Sequence, residues 1–138
     1  MQNIVIILTL LGLTACGSTT GQVQKEDAEL NHKLASARTF AAQARAYERN
    51  FAAPDQASAS QSYEEAAKLA ASTGHPTATP LASRYFARSV ITKIKSADGD
   101  PEGLKTLGDR WAGFLKSQGH YAPTTLEERV AMALLYCR

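Results

Sequence analysis

Proline placement constrains this chain more than any other feature. All five prolines, Pro54, Pro76, Pro80, Pro101 and Pro123, fall at the edges of stretches with helical periodicity. Proline lacks the amide proton, and its ring clashes with the preceding turn, so it starts or ends helices and avoids their interiors. Pro76 and Pro80 make a single break. Four breaks therefore separate five candidate helices. No segment alternates apolar and polar residues over the length of a strand. The expected fold is all-α: a small helical bundle, or an array of helical hairpins, of about five helices.

The first candidate runs from about Val23 to Ala53. Leu30, Leu34, Ala37, Ala41, Ala44, Tyr47 and Phe51 recur on it at spacings of three and four, which gives one stripe. The second runs from about Gln56 to Ser72, with Tyr63, Ala66, Ala67 and Ala70 on one face and Gly74 as the stop. The third has Thr79 as its expected N-cap and Pro80 at the first position, with Phe86, Val90, Ile94 and Ala97 facing inward. The fourth opens on Asp100-Pro101 and ends at Gly119. Leu104, Leu107, Trp111, Phe114 and Leu115 give it the strongest apolar face, and Trp111 reads as a core anchor. The fifth opens on Thr124-Thr125-Leu126-Glu127, read as a capping box between Thr124 and Glu127. Leu126, Val130, Leu134 and Cys137 follow on one face. The acidic pairs Glu64-Glu65 and Glu127-Glu128 read as first-turn residues that favour the helix dipole.

Composition tempers the size of the core. The chain has 138 residues and 24 alanines, and each alanine buries little area while favouring helix. Larger apolar residues number 19 among positions 80–138 and 8 among positions 17–79. The last three helices can form a core. The first must lie on it, pair with another chain, or stand apart. Its alanine stripe allows close helix approach and is the face expected to contact a partner. The net charge of +2 provides no dense basic patch, so nucleic acid is not an expected ligand.

The first residues read differently. Ile4 to Leu13 is a ten-residue apolar run broken only by one threonine and one glycine. A membrane span needs about 20 apolar residues, so this length suits the apolar region of a secretory signal. The run ends in Leu13-Thr14-Ala15-Cys16, which resembles the lipobox of bacterial lipoproteins. In that family small residues before the cysteine admit the peptide to the signal peptidase, and the thiol accepts a diacylglycerol. The resemblance implies a signal peptide over residues 1–15, cleavage between Ala15 and Cys16, and diacylglycerol and N-acyl chains on Cys16. The positive charge of the signal's start comes here from the terminal amine alone, since Met1-Gln2-Asn3 holds no Lys or Arg. Residues 16–22 then form the lipidated cysteine and a small, polar tether, and 23–138 a periplasmic helical domain. Gly17, where Asp favours inner-membrane retention in enterobacterial lipoproteins, implies the periplasmic face of the outer membrane. An acylated Cys16 leaves Cys137 without a disulfide partner, as a core residue or a spare thiol.

Three other constellations bear on chemistry. Asp98, Asp100 and Glu102 fall at positions 1, 3 and 5 of an EF-hand pattern, with Gly103 at 6 and Asp109 at 12. Lys105 occupies a position the motif fills with an apolar residue. The same residues are explained by Gly99 ending one helix and Asp100-Pro101 starting the next, which keeps Leu104, Leu107 and Trp111 in phase. Arg84, Arg88 and Lys95 share one face of the third helix, and no acid occurs between Glu65 and Asp98. That strip could meet anionic head groups or a partner, although a solvated face is the commoner outcome. Tyr63-Glu64-Glu65-Ala66 resembles the start of the second helix of a tetratricopeptide repeat, but no period of about 34 residues recurs.

His32, His75 and His120 lie far apart, and no catalytic or phosphate-binding motif occurs, so neither an enzyme nor a cofactor is expected. The expected function is that of a membrane-anchored, non-enzymatic accessory that binds a protein of an envelope complex. In size and class the chain is similar to pilotins and other accessory lipoproteins of secretion, pilus or conjugation machines. The alternative is an ion- or ligand-binding lipoprotein using the Asp98–Asp109 loop.

Overall fold

The computed structural model describes residues 2–96 and 100–137, with side chains from residue 24 onward. The signal read over 1–15, the cysteine and tether over 16–22, and Ala97, Asp98 and Gly99 lie outside the residues whose side chains are described. The described chain is all-helical: α1 (Gln2–Glu48), α2 (Gln56–Ser72), α3 (Thr79–Lys95), α4 (Pro101–Ser117) and α5 (Leu126–Tyr136), with a short 3-10 turn at Pro76–Ala78 before α3. Among the described residues there is no strand. None of their helices is long and apolar enough to cross a membrane. The chain divides into two units, Met1–His32 and Lys33–Arg138. In the first, residues 24–29 are exposed.

The second unit is built around α3, which touches α2, α4 and α5. Its burial is explained by its side chains. Ala82, Ser83, Ala87, Ser89 and Thr92 are small, and they let neighbouring helices approach from several sides while Phe86 and Val90 supply volume. The seam with α2 is the tightest. Ser60 Oγ donates to the Ser89 carbonyl at 2.9 Å, and Ser89 Oγ donates back to the Ser60 carbonyl at 2.8 Å. Two buried hydroxyls thus find acceptors on the facing backbone, each bond contributing about 1 kcal/mol. On the other side of α3 Leu104, Leu107 and Trp111 of α4 are buried, and the Phe86 and Phe114 rings meet with centroids 5.8 Å apart.

The alanine stripe of α1 is consumed inside this unit. Ala37, Ala41 and Ala44 are fully buried in the same core as Tyr63 and Tyr85. They are therefore not a free face for a second chain. The helix also stops earlier than its periodicity suggests. Asn50 Oδ1 accepts from Ala52 N at 3.2 Å, a local turn that competes with the helix ladder ahead of Pro54. Phe51 is left fully exposed.

Three further details differ from the sequence reading. Thr79 does not cap α3. Ala78 precedes it without a side-chain cap, the 3-10 turn feeds the chain in, and the Thr79 hydroxyl donates to Gln118 Oε1 at 3.0 Å. Glu64 and Glu65 sit mid-helix in α2, where Lys68 lies 3.6 and 3.2 Å away and Arg110 of α4 reaches Glu64. The third difference is the register of α5. Its capping box joins Thr125 and Glu128, one residue beyond the pair expected. One residue is a rotation of about 100°. Ala131 is buried, and Met132 and Leu135 pack on the core, while Leu126 and Val130 are 78% and 41% exposed.

Candidate functional site

The shift in α5 creates the most connected polar cluster among the described residues. Glu128 is fully buried. Its Oε2 accepts from Ser83 Oγ at 2.6 Å and from the Tyr121 hydroxyl at 2.8 Å, and its Oε1 accepts from Thr125 Oγ1 at 2.6 Å. Trp111 Nε1 donates to Ser83 Oγ at 3.0 Å. The chain Trp111–Ser83–Glu128–Tyr121 therefore ties α4, α3, α5 and the loop before α5 together. Burial, and then the bond to Glu128, push the Tyr121 phenol up to about 12. Every described donor around this carboxylate is used. The cluster fixes the register of α5.

Glu127, placed outward by the same rotation, meets the basic strip of α3. Arg88 donates to Glu127 Oε1 at 2.6 Å and lies 3.9 Å from Glu48 Oε2. The bond to Arg88 lowers the Glu127 carboxyl and raises the Arg88 guanidinium. Glu48 Oε2 also accepts from the Tyr63 hydroxyl at 2.6 Å, and burial, the larger cause, raises that phenol with it. The strip of Arg84, Arg88 and Lys95 is therefore not continuous. Its middle member is held by acids from α1 and α5, far away in sequence. Arg84 and Lys95 are exposed.

Arg84 and Arg88 help to line a pocket of about 170 Å³, with Arg45 of α1, Tyr63 of α2, Tyr85 of α3 and Glu127. Tyr85 is buried, which raises its phenol against the lowering effect of Arg45, Arg38 and Arg84. The sequence grouped Arg84 with Lys95. The structure groups it with Arg45 and Tyr85.

The Asp98–Asp109 spacing does not form a twelve-residue loop. Residues 101–117 are the helix α4, so Glu102 and Asp109 both belong to it and are exposed. Asp100 is its N-cap: Oδ1 accepts from Gly103 N at 2.9 Å, and Oδ2 lies 3.3 Å from Lys93 Nζ. The bond to Gly103, and then Lys93, lowers the Asp100 carboxyl. Asp98 lies outside the described residues. Among the described residues no three His, Cys, Asp or Glu side chains gather as a metal site would need. The loop reading fails because Pro101 and Asp100 start a helix where calcium ligation needs an irregular backbone.

A second surface feature belongs to α5. Leu126, Val130 and Tyr136 are exposed, and Cys137, read from the sequence as either a core residue or a spare thiol, is exposed and free. Leu135 and Tyr136 border a shallow pocket of about 270 Å³ with Leu104 and Gly108. No family model, curated protein or solved structure matches the chain.

Proposed function

We propose that this protein is a lipoprotein of the outer membrane, held at its periplasmic face through acyl chains on Cys16, and that its helical domain binds another envelope protein without catalysing a reaction. The observation that carries the reading is Leu13-Thr14-Ala15-Cys16 directly after the ten-residue apolar run. Several acyl chains, at about 0.8 kcal/mol per buried methylene, make release from the bilayer very slow. The accessory role is supported by the use to which polar groups are put. Glu128, Glu127, Arg88, Glu48 and Asp100 are each engaged in a contact that holds helices or caps them. The exposed apolar residues of α5 supply the sort of surface that a partner covers. Secretion, pilus and conjugation machines use accessory lipoproteins of this size.

Two experiments test the two halves. Membrane fractionation with acyl labelling compares the natural chain with Cys16→Ser. Loss of label and release from membranes are expected, and an unchanged distribution removes the anchor. Cross-linking in cells, followed by identification of the adduct, tests the accessory role. A defined envelope protein is expected; recovery of this chain with itself alone points to a structural oligomer instead.

A further inference from the structure

Tyr85 is 8% exposed as a residue, and its hydroxyl makes no hydrogen bond with a described residue while keeping contact with solvent. The Tyr63 and Tyr121 hydroxyls each reach a carboxylate, Glu48 and Glu128, whereas that of Tyr85 is left to solvent and free to donate. Tyr85 instead lines the 170 Å³ pocket. Arg45 and Arg84 line it too, and their side chains make no hydrogen bond or ion pair with a described residue. Arg88 is already taken by Glu127 and Glu48. Three guanidinium groups thus share the pocket with one carboxylate, Glu127, and the pocket keeps an excess of positive charge even when Glu48, behind Arg88, is included.

From this geometry we infer that Arg45, Arg84 and Tyr85 form a binding site for a carboxylate. A guanidinium offers a planar fork that matches the two oxygens of a carboxylate, and the Tyr85 hydroxyl supplies one further donor. The bound group would stand to Tyr85 as Glu48 stands to Tyr63. The Glu127 carboxylate in the wall sets the charge of the guest. It repels a dianionic phosphate more than a monoanion, so a carboxylate fits better. A membrane surface fits less well. Arg45, Arg84 and Arg88 converge on a concavity, and Lys95 lies about 10 Å farther along α3, outside it. The natural source would be an acidic side chain or chain end of the partner polypeptide. That last step rests on the accessory role proposed above; the carboxylate chemistry does not.

The test is a titration of the isotope-labelled full chain in neutral detergent, read by nuclear magnetic resonance at the Arg45 and Arg84 Nε–H groups and the Tyr85 ring. The probes are sodium acetate, sodium chloride at equal ionic strength, sodium phosphate, and phosphatidylglycerol vesicles. Acetate is expected to give saturable shifts that chloride does not. Tyr85→Phe, which removes one hydroxyl and no packing volume, should weaken acetate about tenfold with the amide spectrum otherwise unchanged. Arg45→Gln combined with Arg84→Gln should abolish saturation. Acetate shifts no larger than those of chloride, or unaffected by Tyr85→Phe, overturn the site. Phosphate binding more tightly than acetate, or vesicles acting where acetate does not, overturns the carboxylate assignment. Absence of acetate binding leaves Cys16 anchoring and partner capture standing. Partner capture that survives the double arginine substitution, with acetate binding lost, refutes the partner step alone.

Discussion

Replacing Glu128 by Ala tests the register of α5 and the network that sets it. In the folded chain Glu128 accepts from Ser83, Tyr121 and Thr125, and it closes the capping box with Thr125. Its removal leaves the buried Ser83 hydroxyl without an acceptor, at about 1–3 kcal/mol. Loss of half the box adds about 0.5–1 kcal/mol. The shortened side chain leaves unfilled space in the core, whereas the end of carboxylate burial returns part of the loss. The expected net destabilisation is about 2–4 kcal/mol. For a domain near 100 residues this lowers Tm by roughly 10–20 °C. Glu127→Ala, in contrast, breaks a half-exposed ion pair with Arg88 and should cost about 1 kcal/mol or less. Urea unfolding of both variants at neutral pH, followed by far-ultraviolet circular dichroism with linear extrapolation, gives both numbers. If Glu127→Ala costs as much as Glu128→Ala, the helix is in the register its hydrophobic spacing suggested, and the network described above is not the one that forms.

Further expectations concern packing, ionisation and a cap. Ala44→Leu inserts volume into a fully buried position and should destabilise by about 1–3 kcal/mol in the same unfolding assay; a neutral outcome would mean that the α1 stripe is open to a partner after all. The phenols of Tyr63, Tyr85 and Tyr121 are raised in the fold, so the neutral forms are favoured there and the stabilisation is complete below about pH 10, then lost as pH climbs through the folded values. A urea midpoint that holds steady up to about pH 9 and falls above pH 10 is expected. The Glu127 carboxyl is lowered, so its contribution is present above the unfolded value of 4.5 and is lost as pH falls below it; Glu127→Ala should flatten that acid limb. Gly103→Ala places a methyl group against the Asp100 carboxylate and Lys93, displacing the cap of α4, and should cost about 1 kcal/mol by thermal unfolding even though alanine favours helix.

Helix number and most boundaries could be read from the sequence because proline and capping chemistry are local. Asp100-Pro101 starts α4 as its residue types require, and α2 spans 56–72 as its spacing requires. Where two local answers were equally good, long-range contacts decided. Thr124-Thr125-Leu126-Glu127-Glu128 contains two overlapping capping boxes. The second is used because Glu128 then reaches Ser83, 45 residues earlier, and Glu127 reaches Arg88. The large residues of α5 misled for the same reason, since Leu126 and Val130 outweigh Ala131 in any pattern of hydrophobicity while Ala131 is the buried one. Alanine also concealed the fate of α1, because a stripe of small residues suits an internal seam and an external one alike. The basic pocket was half legible. Arg84 stood out on α3 and Tyr85 is its neighbour in sequence, but Arg45 of α1 joins them only through the tertiary fold.

The central claim is that Cys16 is the mature first residue and carries the lipid. Intact mass spectrometry of the protein extracted from membranes addresses it directly. The account predicts a mass equal to residues 16–138 plus a diacylglyceryl group and one N-linked acyl chain, with fragmentation placing the added mass on Cys16. A chain that retains residues 1–15, or one whose Cys16 is an unmodified thiol, would contradict it.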